Sequence, residues 1–208
     1  LNEEIAKDRD TYGIGHKEEI ESLVSILGKV SNRNALLIGD VGVGKSSIAL
    51  GLAQRINSGD VPMQIKNKRI LQLDINGLIA HSSEEKQIEL LISKAVKELE
   101  NAGDAILYID EIYEIVPTRA KESGQSVANI LLPYILKSKF PIIGTINYTD
   151  YKKYFYSIES LRQSFTNIEI KEVSAADTLQ ILETKITQLE KNYEIYITFP
   201  ALISTVEL

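Results

Sequence analysis

The sequence predicts an α/β fold, a parallel sheet with helices on both faces, and three observations lead there. Short apolar runs alternate along the chain with segments whose apolar residues recur at helical spacing, which is the pattern of strand–helix–strand units in a parallel sheet. One strand-to-helix junction, Gly39-Asp40-Val41-Gly42-Val43-Gly44-Lys45-Ser46, fits G-x-x-x-x-G-K-[ST] without a mismatch. A later apolar run, Ala105 to Ile109, ends in the paired carboxylates Asp110-Glu111.

Taken in order, residues 1–10 are charged and read as a flexible approach, followed by a tight apolar turn, Tyr12-Gly13-Ile14-Gly15-His16. Ile20, Leu23, Val24 and Leu27 form one helical stripe. Ala35 to Ile38 suits a buried parallel strand. From Ser46 to Ile56, apolar residues at 48, 49, 52, 53 and 56 share one helix face, and Asn57 to Asp60 with Pro62 end that helix. Arg69 to Ile75 alternates as a strand. Ser82-Ser83-Glu84-Glu85 is a capping box for a helix with apolar residues at 88, 91, 92, 95, 96 and 99, closed by Gly103. After the strand at Ala105 come a polar loop, Thr118 to Gln125, and a helix from about Ser126 to Lys137 with a kink expected at Pro133. Phe140 to Ile146 is a strand closed by Asn147, and the tyrosine- and lysine-rich Tyr148 to Tyr156 reads as a short, irregular, solvated face. Asn167 to Val173 is the last strand. Ser174-Ala175-Ala176-Asp177 caps a long helix with apolar positions at 179, 182, 186 and 189.

Composition removes several function classes. Hydrophobic content of 44% and charged content of 25% are those of an ordinary globular protein. A net charge of −6 and a pI near 5.1 argue against a broad nucleic-acid surface. Without cysteine there is neither a disulfide framework nor thiolate chemistry, which suits the cytoplasm. No long uncharged apolar run and no leader pattern appear, so no membrane span is expected. His16 and His81 stand apart from other metal-ligand residue types and read as ordinary polar residues.

The phosphate-cradling motif has a physical logic. Glycines let the loop wrap closely enough for backbone N–H groups to surround phosphates. Lys45 then reaches the β- and γ-phosphates, the Ser46 hydroxyl ligates Mg²⁺, and Ser47 adds to a helix N-terminus that favours the same anion. The nucleotide-binding set is therefore Gly39, Asp40, Val41, Gly42, Val43, Gly44, Lys45, Ser46 and Ser47. An Asp at the end of a buried strand beside such a loop can hold Mg²⁺, which suits Asp110. The adjacent Glu111 can polarise the attacking water, and the amide of Asn147, ending the next strand, can touch the γ-phosphate or that water.

Together these residues resemble the AAA+ ATPases, and more narrowly the first ATPase domain of the Clp family (ClpA, ClpB, ClpC and the secretion-linked ClpV). Gly13-Ile14-Gly15 is similar to the family's V-I-G-R turn at the adenine. Gly51-Leu52-Ala53-Gln54-Arg55-Ile56 with Gly59-Asp60-Val61-Pro62 is similar to G-L-A-x-R-I-x-x-G-D-V-P. Ile106 to Ile112 looks like the Walker B strand I-L-F-I-D-E-I. Gly144-Thr145-Ile146-Asn147 falls at the first sensor, and Asp150-Tyr151-Lys152-Lys153-Tyr154 at E-Y-[RK]-K-Y.

The resemblance implies a P-loop NTPase sheet and an ATP- and Mg²⁺-dependent ATPase, with Gly13 and Ile14 lining the adenine. It further implies a hexameric ring in the full-length protein that acts on protein substrates as an unfoldase or disaggregase, with a protease as a further partner. Residues 1–173 would form the large subdomain and 174–208 the beginning of a small helical one. Leu1 and Ala201 to Leu208 fall in mid-pattern, as expected of a piece cut from a longer protein.

Two departures stand out. The family's A-L-x-R-R-F, whose arginines reach the neighbouring subunit's γ-phosphate, is here Ser160-Leu161-Arg162-Gln163-Ser164-Phe165, leaving Arg162 as a displaced arginine-finger candidate. No aromatic stands near Ser83-Glu84-Glu85-Lys86, where a K-Y-x-G pore loop should fall. These departures favour an alternative, a module that binds ATP to hold an assembly together with little hydrolysis and no threading; the intact Asp110-Glu111 pair opposes it. A small-molecule kinase would need an arginine-bearing lid that is not found, and acidity disfavours an initiator or clamp loader.

Overall fold

The run Ala35–Ile38 forms β1, and every residue of it is buried, from 0% to 3% exposed. A strand this apolar has to be covered on both faces. The computed structural model describes residues 1–7, 12–75, 77, 85–116, 122–137 and 139–207. In it β1 lies inside a five-stranded parallel sheet of order β2-β3-β4-β1-β5. The other strands are β2 (Arg69–Gln72), β3 (Ala105–Ile109), β4 (Ile142–Ile146) and β5 (Thr166–Glu169). Register is tight at the carboxyl ends: Ile38 pairs with Ile146 on one side and Glu169 on the other, and Ile109 pairs with Gly144.

Strand alternation divides the sheet's side chains between two cores. Leu36, Ile38, Leu107, Ile109, Ile142 and Ile146 face α4 (Glu85–Ala102), α5 (Glu122–Leu136) and α6 (Glu159–Ser164), meeting Ile88, Ile92, Leu131, Ile135 and Leu161. Ala35, Leu37, Ile106, Tyr108 and Ile143 face α1 (Asn2–Lys7), α2 (Lys17–Leu27) and α3 (Lys45–Ser58), meeting Ile5, Leu23, Leu27, Ile48 and Leu52. Each buried aliphatic side chain contributes on the order of 1.5–3 kcal/mol, so the two cores together hold the sheet whose carboxyl edge carries the site.

Helix ends follow local chemistry. Gly59 adopts a left-handed conformation (φ 76°) after α3, and the Asp60 N–H returns to the Arg55 carbonyl. The Ser174 Oγ accepts from the Asp177 N–H at 3.1 Å, opening α7 (Ala175–Tyr193), against which α8 (Phe199–Glu207) packs. No helix among the described residues is long and apolar enough to cross a membrane.

Some expectations are corrected. Residues 1–7 are not a loose approach: α1 packs on α3, Ile5 is 5% exposed, and the Asn2 Oδ1 accepts from the Ile70 N–H at 2.7 Å, while residues 8–10 lie outside the described residues. Strands β2, β4 and β5 are shorter than their apolar runs. Helix α5 starts at Glu122, four residues earlier than Ser126, and runs through Pro133. Tyr148 to Tyr156 is only partly a solvated face: Lys152, Lys153 and Tyr156 are exposed, but the segment is ordered and anchored. A helical turn (Tyr148–Asp150) leads into a π-helical turn (Tyr151–Phe155), and Phe155 is 1% exposed, stacked on Tyr151 and edge-on to Phe165. Burial of Phe155, with Tyr148, Tyr151 and Tyr154 half-buried against the same core, overrode the polar composition there. His81, the first three residues of the proposed capping box, Ser83 and Glu84 of the pore-loop position, and Thr118 to Lys121 lie outside the described residues.

Candidate active site

The loop Gly39–Ser46 leaves the carboxyl end of β1 and turns into α3. A side chain at Gly39 would place its Cβ 2.6 Å from the Ile170 carbonyl oxygen, so glycine is required by the close approach of the chain after β5. Gly44 has φ 99°, and a Cβ there would lie 2.8 Å from His16 Nε2. That imidazole is 3% exposed, with Nε2 2.9 Å from the Val43 carbonyl oxygen. His16 is therefore not an ordinary polar residue: it underpins the phosphate loop. The sequence signal for it was its place in the Gly13-Ile14-Gly15-His16 turn, far from residue 43 along the chain.

Lys45, the first residue of α3, donates from Nζ to the carbonyls of Gly39 and Asp40 at 2.7 Å each. Burial lowers its pKa, while Asp110, Asp40 and Glu111 act to raise it. Val41 is 87% exposed at the loop tip. Lys45, Ser46 and Ser47 line a cavity of about 310 Å³ together with Asp110, Glu111, Tyr113, Thr145 and Asn147.

The opposite wall comes from β3 and β4. Strand β3 is not the neighbour of β1; β4 lies between them, and Thr145 of β4 spans the gap. Its Oγ1 donates to Asp110 Oδ1 at 2.5 Å and accepts from the Glu111 N–H at 3.0 Å. The Tyr108 hydroxyl lies 3.2 Å from the same Asp110 oxygen and 3.3 Å from Ser46 Oγ. Glu111 sits in the left-handed region (φ 50°, ψ 53°), a conformation that costs a non-glycine residue about 1–2 kcal/mol. Its Oε2 accepts from the Tyr113 hydroxyl at 3.2 Å. Burial, and secondarily Glu111, push the Tyr113 phenol up to about 12, so it remains a donor to that carboxylate. Thr145, Tyr108 and Tyr113 were not assigned by sequence reasoning. The available signal was a lone hydroxyl residue inside the apolar run Phe140 to Ile146.

Asn147 lines the cavity, and its amide is also a helix cap. Oδ1 accepts from the Asp150 N–H at 2.8 Å and Nδ2 donates to Asp150 Oδ2 at 2.7 Å. An amide nitrogen carries two protons, so one remains for the cavity. Gly13 and Ile14 line a second cavity of about 530 Å³, which shares Gly42, Gly44 and Ser47 with the first and is walled by Val173 and Ile181. Arg162 does not line the first cavity. It stands on α6 with its guanidinium 5.0 Å from the centroid of the Tyr156 ring.

This arrangement suits a polyphosphate with a divalent cation. One wall offers an ammonium and a glycine loop at a helix N-terminus; the facing wall offers carboxylates; the Ser46 hydroxyl lies between. Among the described residues no cluster of three or more His, Cys, Asp or Glu could cage a metal alone. The Ser46 hydroxyl and the Asp110 carboxylate are oxygen donors of the kind Mg²⁺ takes, one or two from protein with phosphate and water completing the shell.

The fold is that of a P-loop NTPase. The family model for the ATPase family associated with various cellular activities matches residues 35–154, more than half of the chain. The chain belongs to that family, the AAA ATPases. Within it, the chain resembles Clp proteins: it is 36% identical over 195 residues to the chaperone protein ClpB of Wolinella succinogenes, covering 94% of this chain and 23% of that protein. It is 34% identical over 202 residues to a ClpA homologue of Guillardia theta, covering 97% and 25%. Among solved structures, the Saccharomyces cerevisiae Hsp104–ADP complex matches with a TM-score of 0.87 at 28% identity, covering 98% of this chain and 35% of that one. The chain thus spans about a quarter of the length of these curated relatives.

Proposed function

We propose that this chain is the first ATPase domain of a Clp-type unfoldase or disaggregase, and that it binds and hydrolyses ATP in the cavity between the phosphate loop and the carboxyl ends of β3 and β4. The observation that carries this reading is the convergence on one cavity of Lys45 and Ser46 from one side with Asp110 and Glu111 from the other. Gly39 to Ser47 hold the phosphates through backbone N–H groups, and Lys45 exchanges its two carbonyl acceptors for β- and γ-phosphate oxygens. Ser46 and Asp110 would hold Mg²⁺. When bound, that ion offsets the charge developing on the phosphate oxygens. Glu111 takes the proton of the attacking water, and its Tyr113 partner must yield that oxygen first. Asn147 directs its free amide proton at the γ-phosphate or the water. Gly13 and Ile14, lining the contiguous second cavity, hold the adenine.

The likeness to ClpB and to the Hsp104 structures, one with ADP and one with ATPγS and casein, supports the wider reading: a cytoplasmic homo-hexameric ring acting on protein substrates, with a protease as partner in the ClpA-like case. It gives no support to an assembly module that does not hydrolyse. Residues 1–173 form the nucleotide-binding unit, and 174–208 begin a helical subdomain. Because Gln163 and Ser164 stand where the family has arginines, hydrolysis by this chain alone is slow, and Arg162 is the remaining basic group that could serve a neighbour's γ-phosphate.

Calorimetric titration with ATP and Mg²⁺ tests the core of this proposal. Lys45→Ala is expected to weaken binding by about 10²-fold, the worth of a charge-assisted contact to phosphate. Unchanged affinity would overturn the assignment of the phosphate site.

A further inference from the structure

Tyr108 has no part in the reading above, although its ring and its hydroxyl answer to different demands. It lies within β3 at 2% exposure, its ring packed in the apolar cluster under α3 with Leu37, Ile48 and Ile143. For that packing a phenylalanine would suffice. Strand alternation puts its side chain on the same face as Asp110, two residues on. Its hydroxyl emerges from the cluster at the cavity's edge, 3.2 Å from Asp110 Oδ1 and 3.3 Å from Ser46 Oγ.

We propose that Tyr108 is a positioning residue for the divalent cation: its hydroxyl joins Ser46, at the start of α3, to Asp110, at the end of β3, and holds both oxygens in place before the ion arrives. This rests on the assignment of Ser46 and Asp110 as the cation's ligands.

The proton inventory supports a directed chain. A carboxylate can only accept, while a phenol carries one proton and can also accept. Tyr108 therefore donates to Asp110 and accepts from Ser46. Asp110 Oδ1 then receives two hydroxyl protons, from Tyr108 and Thr145. Its Oδ2 accepts none among the described residues and is left for the cavity that Asp110 lines. Thr145 alone could orient the carboxylate. What Tyr108 adds is the link to Ser46, which joins the two walls across β4.

ADP binding separates this role from a merely structural one, since no turnover intervenes. ADP affinity is measured by calorimetry over a range of Mg²⁺ concentrations and in EDTA, for the parent protein and for Tyr108→Phe, which keeps the ring. The parent is expected to bind ADP more tightly as Mg²⁺ rises. Tyr108→Phe is expected to keep the EDTA affinity within about twofold and to need about three- to tenfold more Mg²⁺ for the same enhancement, because the variant loses both the bond to Asp110, where Thr145 remains, and the link to Ser46. In a Ser46→Ala background the further change to Tyr108→Phe should shift the Mg²⁺ requirement by less than about twofold, because the link is already broken. A Mg²⁺ requirement equal to the parent's overturns the inference, as does an equal loss of affinity with and without Mg²⁺, which would make Tyr108 structural. A parent protein that binds ADP equally well in Mg²⁺ and EDTA would overturn the cation-site assignment itself, and the inference with it.

Discussion

The walls of the phosphate cavity and the short helix α6 satisfy their polar groups in opposite ways. Around the cavity, local bonds are joined by long-range ones from other strands: Thr145 serves Asp110 and Glu111, and Tyr108 reaches Ser46 across 62 residues of sequence. Along α6, partners come from one turn away: Gln163 donates to Glu159 at 2.9 Å, and Ser164 donates to the Ser160 carbonyl at 2.6 Å. The cavity wall is thus specified by the fold, and a change there disturbs several elements. Helix α6 is anchored by Leu161, 2% exposed, while Gln163 and Ser164 bond within the helix and Arg162 stacks over Tyr156. The fold therefore does not depend on arginines at 163 and 164, where the resemblance would place them. What the change alters is what the chain presents to a neighbour.

The largest effect that could break this contrast is on turnover. Gln163→Arg combined with Ser164→Arg in the assembled full-length protein should raise hydrolysis by as much as about 10³-fold, the lower range for an arginine supplied in trans, with little change in ATP affinity. Phosphate release at saturating ATP checks this. An unchanged rate would mean that α6 does not face a neighbour's γ-phosphate, or that Arg162 already serves there. Arg162→Ala separates those two outcomes, because only the second predicts a steep loss of rate with affinity retained.

On the cavity side, Glu111→Gln keeps size and removes the base. Hydrolysis should fall by at least about 10²-fold while ATP still binds. Single-turnover kinetics beside calorimetry would detect this, and a parallel loss of binding would make Glu111 structural.

The same contrast decides how much could be read from sequence. The phosphate loop, the two carboxylates and Asn147 were legible because each is announced by its immediate neighbours: an apolar run, glycines at fixed spacing, a strand end. Thr145, Tyr108 and His16 were not. Their roles depend on β4 lying between β1 and β3, and on the turn at residues 13–16 folding under residue 43, which are facts of strand order and packing rather than of spacing. Sheet topology was legible as parallel from the strand–helix alternation, but the order of the strands was not. The segment Tyr148 to Tyr156 misled for a related reason. Its lysines are exposed as their charge predicts, but the π-helical turn also brings Phe155 into the core with Tyr151 stacked on it, which composition did not show.

The smallest effect concerns stability and sets the two regions side by side. Thr145 is fully buried, and its hydroxyl both donates to Asp110 and accepts from the Glu111 N–H. Thr145→Val preserves the shape and removes both bonds, leaving the Glu111 N–H without its acceptor beside a residue already held at positive φ. The expected cost is about 1–3 kcal/mol, and Thr145→Ser, which restores the hydroxyl, should recover most of it. Gln163→Ala removes a hydrogen bond that the chain also makes, but on the exposed face of α6, where the released Glu159 carboxylate returns to water. Its cost should stay within about 0.5 kcal/mol. Urea denaturation of the three variants, compared at equal m-value, reads the difference directly. If Thr145→Val and Gln163→Ala shift the midpoint equally, the cavity wall is not the interlocked structure its hydrogen bonds describe.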